Sequence, residues 1–300
     1  MTMRHFLTLT DVSGQELGQL VDRAIELKRS LSAGKRYEPL RGKTLAMLFD
    51  KSSTRTRVSF EVAMNQFGGS AIFLSPANTQ LGRGEPVEDT ARVMGRMVDA
   101  VVIRTYSHAM VETFAAHSDV PVINGLTDRF HPCQLLADVQ TFQERLGPIV
   151  GRRVAWVGDG NNVCHSWINA ARLCEFQLCI ATPAQYRPAA DVVRSAGDFV
   201  TLTDDPEAAV SGADAVVTDT WASMGQEDEK DRRHASFARY RVDAELMRHA
   251  HADAIFMHCL PAYREHEVTA EVLESARSVV WDQAENRLHA QKALLEFLLR

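Results

Sequence analysis

Short apolar runs alternate with longer stretches of helical period along almost the whole chain, and this alternation constrains the fold more than any other feature. Alternating strands and helices are typical of βαβ units, whose strands pair in parallel. The first apolar runs are TLAMLF from Thr44, SAIFL from Ser70, AVVIR from Ala100 and VPVI from Val120. After a helical stretch from about His131 to Leu146, the pattern resumes with RRVAWVG, QLCIAT, FVTLT, AVVTDT, AIFMHCL and SVVW. The pattern predicts strands at these runs and mainly parallel sheets.

The two sets of βαβ units are separated near Gly147–Gly151, where Gly147 can end a helix and Pro148 cannot continue it. A chain of 300 residues is long enough for two domains. We therefore predict an α/β fold of two doubly wound parallel-sheet domains. The last stretch, AENRLHAQKALLEFLLR, predicts an amphipathic terminal helix, although periodicity does not tell which domain it packs on. The cores are expected to include the tryptophans of the apolar runs, Trp156, Trp167 and Trp281.

The composition argues against several classes of protein. The chain holds 33 Lys and Arg against 39 Asp and Glu, a formal charge of −6, which disfavours a nucleic acid or an anionic membrane as a partner of the whole surface. The five cysteines form no CxxC pair, so neither a disulfide framework nor a structural zinc site is indicated. The sequence has neither the apolar segment of a signal peptide nor the roughly 20 apolar residues of a spanning helix. A cytoplasmic location fits best, with a transit peptide already removed as the open alternative.

Unusual polar segments follow the predicted strands. In an open α/β sheet, ligands bind in the crevice beyond the carboxyl ends of the strands, so these segments are expected to face one ligand-binding edge. They are Asp50–Arg57, Arg104, His131–Gln134, Gly158–Asn162, Asp219–Glu227 and His258–Pro261.

The segment SSTRTR, which follows the first predicted strand, indicates a phosphate site. Arg55 and Arg57 fall in the first turn of the next helix, where the helix macrodipole disfavours positive charge. A bound anion would reverse that penalty, because free backbone N–H groups, three hydroxyls and a guanidinium can together hold a phosphate. The alternative is an exposed helix start with solvated arginines. The segment is not a Walker loop, since GxxxxGK[ST] is missing.

The segment GDGNNV resembles a dinucleotide fingerprint only in part. Val163 stands where the third glycine belongs, and the next strand ends without the acidic residue that would bind a ribose. Binding of a nicotinamide cofactor is therefore disfavoured.

His258 and Cys259 end another predicted strand, near Asp219 at the end of a neighbouring run. They could form a polar site that handles a proton, or Cys259 could be a small buried hydrophobe and His258 could bond a carbonyl. Zinc bound by His131, Cys133, His258 and Cys259 is a further option, but their spacing matches no zinc signature.

The segments STRTR, HPCQ, DTWASMGQE and HCLP, in this order and spacing, resemble the aspartate/ornithine carbamoyltransferase family, from about Arg4 to the terminal helix. STRTR and HPCQ are shared across that family, whereas SMG and HCLP resemble its ornithine-specific members. The resemblance implies that residues 1–147 and a C-terminal helix, 285–300, bind carbamoyl phosphate. Residues 148–284 would bind ornithine, with the active site in the cleft between the two domains.

The resemblance also implies roles for individual residues. The residues implied to bind carbamoyl phosphate are Ser53, Thr54, Arg55, Thr56, Gln80, Arg104, His131, Pro132, Cys133 and Gln134. Of these, Gln80 would reach in from a neighbouring subunit. The residues implied to bind ornithine are Asn162, Asp219, Ser223 and Met224. Asn162 is chosen over Asn161 by alignment of GDGNN. Contact with either substrate is implied for Cys259, Leu260 and Arg287. The implied catalytic residues are Arg104, His131, Asp219 and Cys259.

The implied reaction transfers the carbamoyl group of carbamoyl phosphate to the side-chain amine of L-ornithine, giving L-citrulline and phosphate, in arginine biosynthesis or in reverse in arginine breakdown. It implies no cofactor, metal, nucleic acid or membrane, and a homotrimer or a multiple of trimers. Another amine acceptor, such as aspartate, putrescine or an acylated ornithine, stays open, as does a non-catalytic anion-binding relative. Asp219 argues against the first, since a free α-amino group needs an acidic partner, and the presence of both Asp219 and Cys259 argues against the second.

Overall fold

The computed structural model describes residues 3–75, 79, 84–222 and 230–300. In this part of the chain the strands are β1 Thr44–Phe49, β2 Ser70–Leu74, β3 Ala100–Arg104, β4 Val122–Leu126, β5 Arg153–Val157, β6 Gln177–Ala181, β7 Val200–Thr203, β8 Ala215–Thr218 and β9 Ile255–His258. The helices are α1 Gly14–Ser32, α2 Thr54–Gln66, α3 Val87–Met94, α4 His108–Ala116, α5 Pro132–Leu146, α6 Asn162–Leu173, α7 Ala190–Ala196, α8 Pro206–Val210, α9 Lys230–Phe237, α10 Ala244–Met247, α11 Ala270–Leu273 and α12 Val280–Leu299. Among the described residues, no helix combines the length and apolar character needed to cross a membrane.

The chain divides into two compact units, residues 1–140 with 285–300 and residues 141–284. The first unit contains a parallel sheet whose described strands lie in the order β2–β1–β3–β4. Its inner strands read as continuous apolar runs because a parallel sheet is covered on both faces. In β3, for example, all five residues are buried.

The second unit contains a parallel sheet whose described strands lie in the order β7–β6–β5–β8–β9. Its core includes Trp156 in β5 and Trp167 in α6, both with no exposed surface. The prediction of an α/β fold with two parallel-sheet domains is confirmed. The domain boundary predicted between residues 147 and 148 stays a prediction.

Two predictions from the apolar runs were wrong. SVVW is not a strand, because Ser278 forms one isolated bridge to Phe256 and Val280 begins α12. Trp281, expected in the core, is 56% exposed in the first turn of that helix. A four-residue apolar run does not distinguish a strand from the start of a helix.

Candidate active site

Several of the polar segments singled out from the sequence lie at one position in each sheet. In the first unit the chain leaves β1 toward β2 on one side and returns to β3 on the other, so the strand order reverses between β1 and β3. In the second unit the order reverses in the same way between β5 and β8. Such switch points open a crevice at the carboxyl ends of the strands, where ligands of α/β proteins bind. The segment after β1 and the end of β3 lie at the first, and the segments after β5 and β8 at the second.

The start of α2 forms the polar edge of the first switch point. Ser53 is the N-cap residue of α2, and its hydroxyl accepts a hydrogen bond from Thr56 N–H at 3.2 Å. Thr54 is exposed, Arg55 is half-buried and Thr56 is buried. The first turn contains no acidic residue. The helix therefore presents its N-terminus and its hydroxyls without a carboxylate of its own there, as a bound anion requires.

Arginines of three different elements surround His131, which is buried just before α5. Arg104 is the last residue of β3 and is buried, and it lies beside the end of β1 because it pairs in register with Phe49. Burial and the positive charges of Arg287, Arg104 and Arg55 hold the pKa of His131 well below its ordinary range. The imidazole is thus neutral at pH 7, and the cluster carries a concentrated positive charge suited to a small anion.

Gln134 and Arg287 join α5 and α12 to the start of α2. Gln134 Nε2 donates to Asp138 Oδ1 at 2.8 Å, so its Oε1 is left to accept from Arg287 Nη1 at 2.7 Å. Arg287 Nη2 also donates to Thr56 Oγ1 at 3.2 Å. These side chains are all buried. Asp138 was not singled out from the sequence, although its position four residues after Gln134 on one helix face could have indicated it.

Pro132 and Cys133 form the first turn of α5. Pro132 suits this position because its missing N–H would have no helical partner there. Cys133 Sγ donates to the Asn124 carbonyl oxygen at 3.3 Å, and burial raises the pKa of this thiol to about 12. Cys133 is therefore a packed thiol and not a nucleophile.

Two further cations, one directly before the SSTRTR segment and one at its end, have partners of their own. Lys51 is buried, pairs with Asp128 and has its Nζ 3.7 Å from the centre of the Tyr106 ring. Lys51 lies in the predicted ligand-edge segment Asp50–Arg57, directly before the two serines. Arg57, in contrast, donates to Glu61 at 2.9 Å and lies 4.0 Å from the Phe73 ring centre. The two arginines of the first turn therefore have different surroundings, and Arg57 is the one engaged with Glu61 and Phe73.

Asp219 is the centre of the second switch point, one residue after β8. Its carboxylate is buried and accepts three hydrogen bonds. Oδ1 accepts from Thr220 N–H at 2.7 Å and from Cys259 Sγ at 3.0 Å, and Oδ2 accepts from Asn161 Nδ2 at 2.7 Å. The predicted proximity of Asp219 to Cys259 follows from the register, since Thr218 and His258 are paired neighbours in β8 and β9.

The two asparagines after β5 have different positions. Asn161 is the N-cap residue of α6, with Oδ1 accepting from Val163 N–H and Cys164 N–H, so its amide group is used for the helix and for Asp219. Asn162 is the first residue of the helix and is half-buried. The sequence alone could not separate these roles, because either residue can cap a helix.

Gly160 has a packing role that explains the G-x-G spacing without a dinucleotide. A Cβ atom added at Gly160 would lie 2.2 Å from the backbone nitrogen of Pro188. In the dinucleotide fingerprint the second glycine lets the backbone approach a pyrophosphate. At Gly160, the protein's own backbone occupies the space beside the Cα atom.

His258 is fully buried at the end of β9 and has both ring nitrogens engaged. Nδ1 accepts from Leu260 N–H at 2.9 Å, so the proton lies on Nε2, which donates to Glu267 Oε1 at 3.1 Å. Asp219, His258 and Cys259 have ligand atoms within 4.8 Å of one another. A metal there would need a nitrogen lone pair that His258 already uses, so this group does not fit a metal site as it stands. The His258 bond also holds Leu260, whose φ of 58° lies in the left-handed region.

Asp159 and Arg233 form a buried ion pair that the sequence analysis missed. Asp159 is 7% exposed and Arg233 is 4% exposed. Burial raises the pKa of Asp159 to about 7 against the opposing charge of Arg233, and the charge of Asp219 adds to the rise. The two residues are 74 positions apart, and no local pattern connects them.

The predicted site residues Gln80, Ser223 and Met224 lie outside the described residues.

Comparison with known proteins gives the same family over both units. Residues 4–144 match the carbamoyl-P binding domain of aspartate/ornithine carbamoyltransferase, and residues 150–298 match its Asp/Orn binding domain. Ornithine carbamoyltransferase of Methylococcus capsulatus is 62% identical, covering 100% of this chain and 99% of its own length. The anabolic ornithine carbamoyltransferase of Pseudomonas aeruginosa is 58% identical, covering 100% of this chain and 98% of its own.

A solved structure agrees with these sequence matches. The crystal structure of ornithine carbamoyltransferase from Burkholderia thailandensis is 51% identical and superposes with a TM-score of 0.93, covering 99% of each chain. Both family domains are therefore present in the expected order, and full-length relatives share more than half of their residues with the chain. The chain belongs to the aspartate/ornithine carbamoyltransferase family.

Proposed function

We propose that the protein transfers the carbamoyl group of carbamoyl phosphate to the side-chain amine of L-ornithine, giving L-citrulline and phosphate. One observation carries the proposal: one switch point gathers arginines around a neutral histidine and a helix N-terminus, and the other presents the buried carboxylate of Asp219. The first arrangement suits a phosphate dianion and the second suits a cationic amine. The relatives named ornithine carbamoyltransferase support this choice of substrates.

The first unit is proposed to bind carbamoyl phosphate. The phosphate would accept hydrogen bonds from the start of α2 and from the hydroxyls of Ser53, Thr54 and Thr56, and Arg55 would neutralise its charge. Arg104 and neutral His131 would donate to the carbonyl oxygen, which becomes an oxyanion in the tetrahedral intermediate. Gln134 and Arg287 complete the proposed contacts, and Gln80 would reach in from a neighbouring subunit.

The second unit is proposed to bind ornithine. Asp219 would attract the cationic amino acid, with Asn162, Ser223 and Met224 as further contacts. The side-chain amine has an ordinary pKa near 10.4, by analogy with Lys, so it must lose a proton before it can attack. Cys259 Sγ, 3.0 Å from the Asp219 carboxylate, would orient this amine, and the adjacent Leu260 would complete the contacts.

The proposed reaction then needs no cofactor. The amine lone pair attacks the carbonyl carbon and forms the C–N bond, and the amine proton passes to an oxygen of the departing phosphate, which leaves as hydrogen phosphate. The tetrahedral intermediate collapses, the bond from carbon to the phosphate oxygen breaks, and phosphate leaves with its negative charge held by Arg55 and the helix N-terminus. Binding two substrates in register supplies a large part of the rate enhancement by proximity.

We also propose that the protein is a cytoplasmic homotrimer, or a multiple of trimers, and works toward citrulline in arginine biosynthesis. The relative named anabolic supports the direction. The trimer rests on the resemblance of the chain to this family. Light scattering should give three times the mass of the 33.4 kDa chain, or a multiple of it.

The test of the reaction is a colorimetric citrulline assay with purified protein and both substrates. Product should form with ornithine and not with aspartate, putrescine or N-acetylornithine. Turnover with one of those amines in place of ornithine would overturn the choice of acceptor. Tight carbamoyl phosphate binding without turnover of any amine would point to a non-catalytic relative.

A further inference from the structure

The buried guanidinium of Arg233 contacts two separate segments of the chain. Its Nη2 pairs with the Asp159 carboxylate, and its Nε donates to the main-chain carbonyl oxygen of Trp221. The guanidinium also lies over the rings of Tyr186 and Phe237, with centre distances of 4.5 and 5.6 Å. An arginine suits this place because its planar group stacks on rings while its N–H groups point to separate acceptors.

The two contacts lie on the two chain segments that position Asp219. Asp159 is two residues before Asn161, whose amide donates to Asp219 Oδ2 at 2.7 Å. Trp221 is two residues after Asp219 in the same loop. Arg233 therefore contacts both the segment of Asn161, whose amide donates to the carboxylate, and the segment of Asp219, which carries the carboxylate. These two bonds are made to neighbours of Asn161 and Asp219 and not to the two residues themselves.

We propose that Arg233 and Asp159 are positioning residues for amine recognition: by fixing both segments, the pair sets the place of the Asp219 carboxylate and so the affinity for ornithine. This inference rests on the proposed function. It concerns residues outside the proposed substrate contacts, and it separates the amine side from the phosphate side, because both partners belong to the second unit. Loss of the pair should therefore change amine binding and leave carbamoyl phosphate binding unchanged.

A structural role and a positioning role predict different results in a charge-neutral double variant. Arg233→Met alone leaves Asp159 as a buried carboxylate without its countercharge, which is strongly destabilising. Adding Asp159→Asn removes that charge and should recover much of the thermal stability. The contact to the Trp221 carbonyl and the pairing to residue 159 are still missing, so a positioning role predicts that the KM for ornithine stays high in the stable double variant.

The experiment compares Arg233→Lys, Asp159→Asn and the Arg233→Met/Asp159→Asn double variant with the unsubstituted protein. Steady-state kinetics should show the KM for ornithine raised about tenfold or more, with kcat less affected. The dissociation constant of carbamoyl phosphate, measured by calorimetry, should stay within about twofold. Arg248→Met is the matched control, because this exposed arginine pairs only loosely with Glu245, across 3.8 Å. It should leave the KM unchanged.

An unchanged KM for ornithine in the stable double variant and in Arg233→Lys would overturn the inference and leave the pair a structural role alone. Equal weakening of both substrates would also overturn it. Arg233→Lys keeps the charge but not the forked geometry, so it provides the answer even where a neutral variant does not fold. Failure of the proposed function is seen separately, as an unsubstituted protein that forms no citrulline.

Discussion

At the scale of single residues, the two arginines in the first turn of α2 offer a direct comparison. Arg55 adds its charge to the cluster around His131, whereas Arg57 is engaged with Glu61 and Phe73. Arg55→Ala should weaken carbamoyl phosphate binding by about 2–3 kcal/mol, the range of a charge-assisted buried contact. Arg57→Ala is the matched control and should change it by less than about 0.5 kcal/mol. Isothermal calorimetry measures both, and equal losses would contradict the assignment of Arg55.

Cys259 gives a second comparison at this scale. Its sulfur lies 3.0 Å from Asp219 and is remote in sequence from the cluster around His131. Cys259→Ser keeps a donor to Asp219 but shortens the side chain and lowers its polarizability. Carbamoyl phosphate binding should be unchanged, and kcat/KM for ornithine should fall by about tenfold or more. The opposite pattern, with weakened carbamoyl phosphate binding and normal ornithine kinetics, would remove Cys259 from the amine side.

At the scale of secondary-structure elements, the missing side chain of Gly160 allows the loop after β5 to pack directly against Pro188. Gly160→Ala places a Cβ atom 2.2 Å from a backbone nitrogen that cannot rotate away, so the free energy of unfolding should fall by about 3 kcal/mol or more. Gly18→Ala is the control within a helix, because its Cβ would meet no atom within 4 Å. It should raise that free energy by about 1 kcal/mol. Urea denaturation followed by circular dichroism measures both, and a neutral Gly160→Ala would disprove the close packing.

The same scale shows why part of the fold and site could be predicted and part could not. Strand β3 was predictable because it is buried on both faces and reads as an unbroken apolar run. The start of α2 was predictable because hydroxyls, arginines and a strand end stand together in nine residues of sequence. The strand assigned to SVVW was wrong because Val280, which begins a helix, packs in a core formed by residues far away in the chain. The pair of Asp159 and Arg233 was missed for the same reason.

At the scale of the whole molecule, the histidines whose pKa is lowered by burial predict how stability depends on pH. Burial lowers the pKa of His5, His108, His131 and His289, all of the first unit, and that of His289 falls to about 4. Between pH 6.5 and 4 the unfolded chain therefore binds more protons at these four histidines than the folded chain, so their contribution to the free energy of unfolding falls as pH is lowered through this window. About one pH unit above 6.5 and higher, both states are neutral at these sites and the effect vanishes.

His289→Gln provides the test of this pH dependence. It should flatten the decline in stability between pH 6.5 and 4 by up to roughly 3 kcal/mol. At pH 7.5 the proton-linked difference between the variant and the unsubstituted protein is absent, so that measurement serves as the reference. Denaturation curves at each pH provide the comparison, and an identical slope in both proteins would show that His289 is not buried as a neutral group.

The first unit is discontinuous in sequence, and this has a consequence for how the protein is made. Arg287, which bonds Gln134 and Thr56, comes from the last sixteen residues, whereas its partners belong to residues 1–140. Glu296 likewise binds Arg23 and Tyr37 near the start of the chain. During synthesis, domains usually fold in order from the N-terminus. Here the first unit cannot be completed until residues 285–300 have been synthesised, after the whole of the second unit, so a nascent chain that has just completed the second unit still lacks Arg287 beside Gln134 and Thr56.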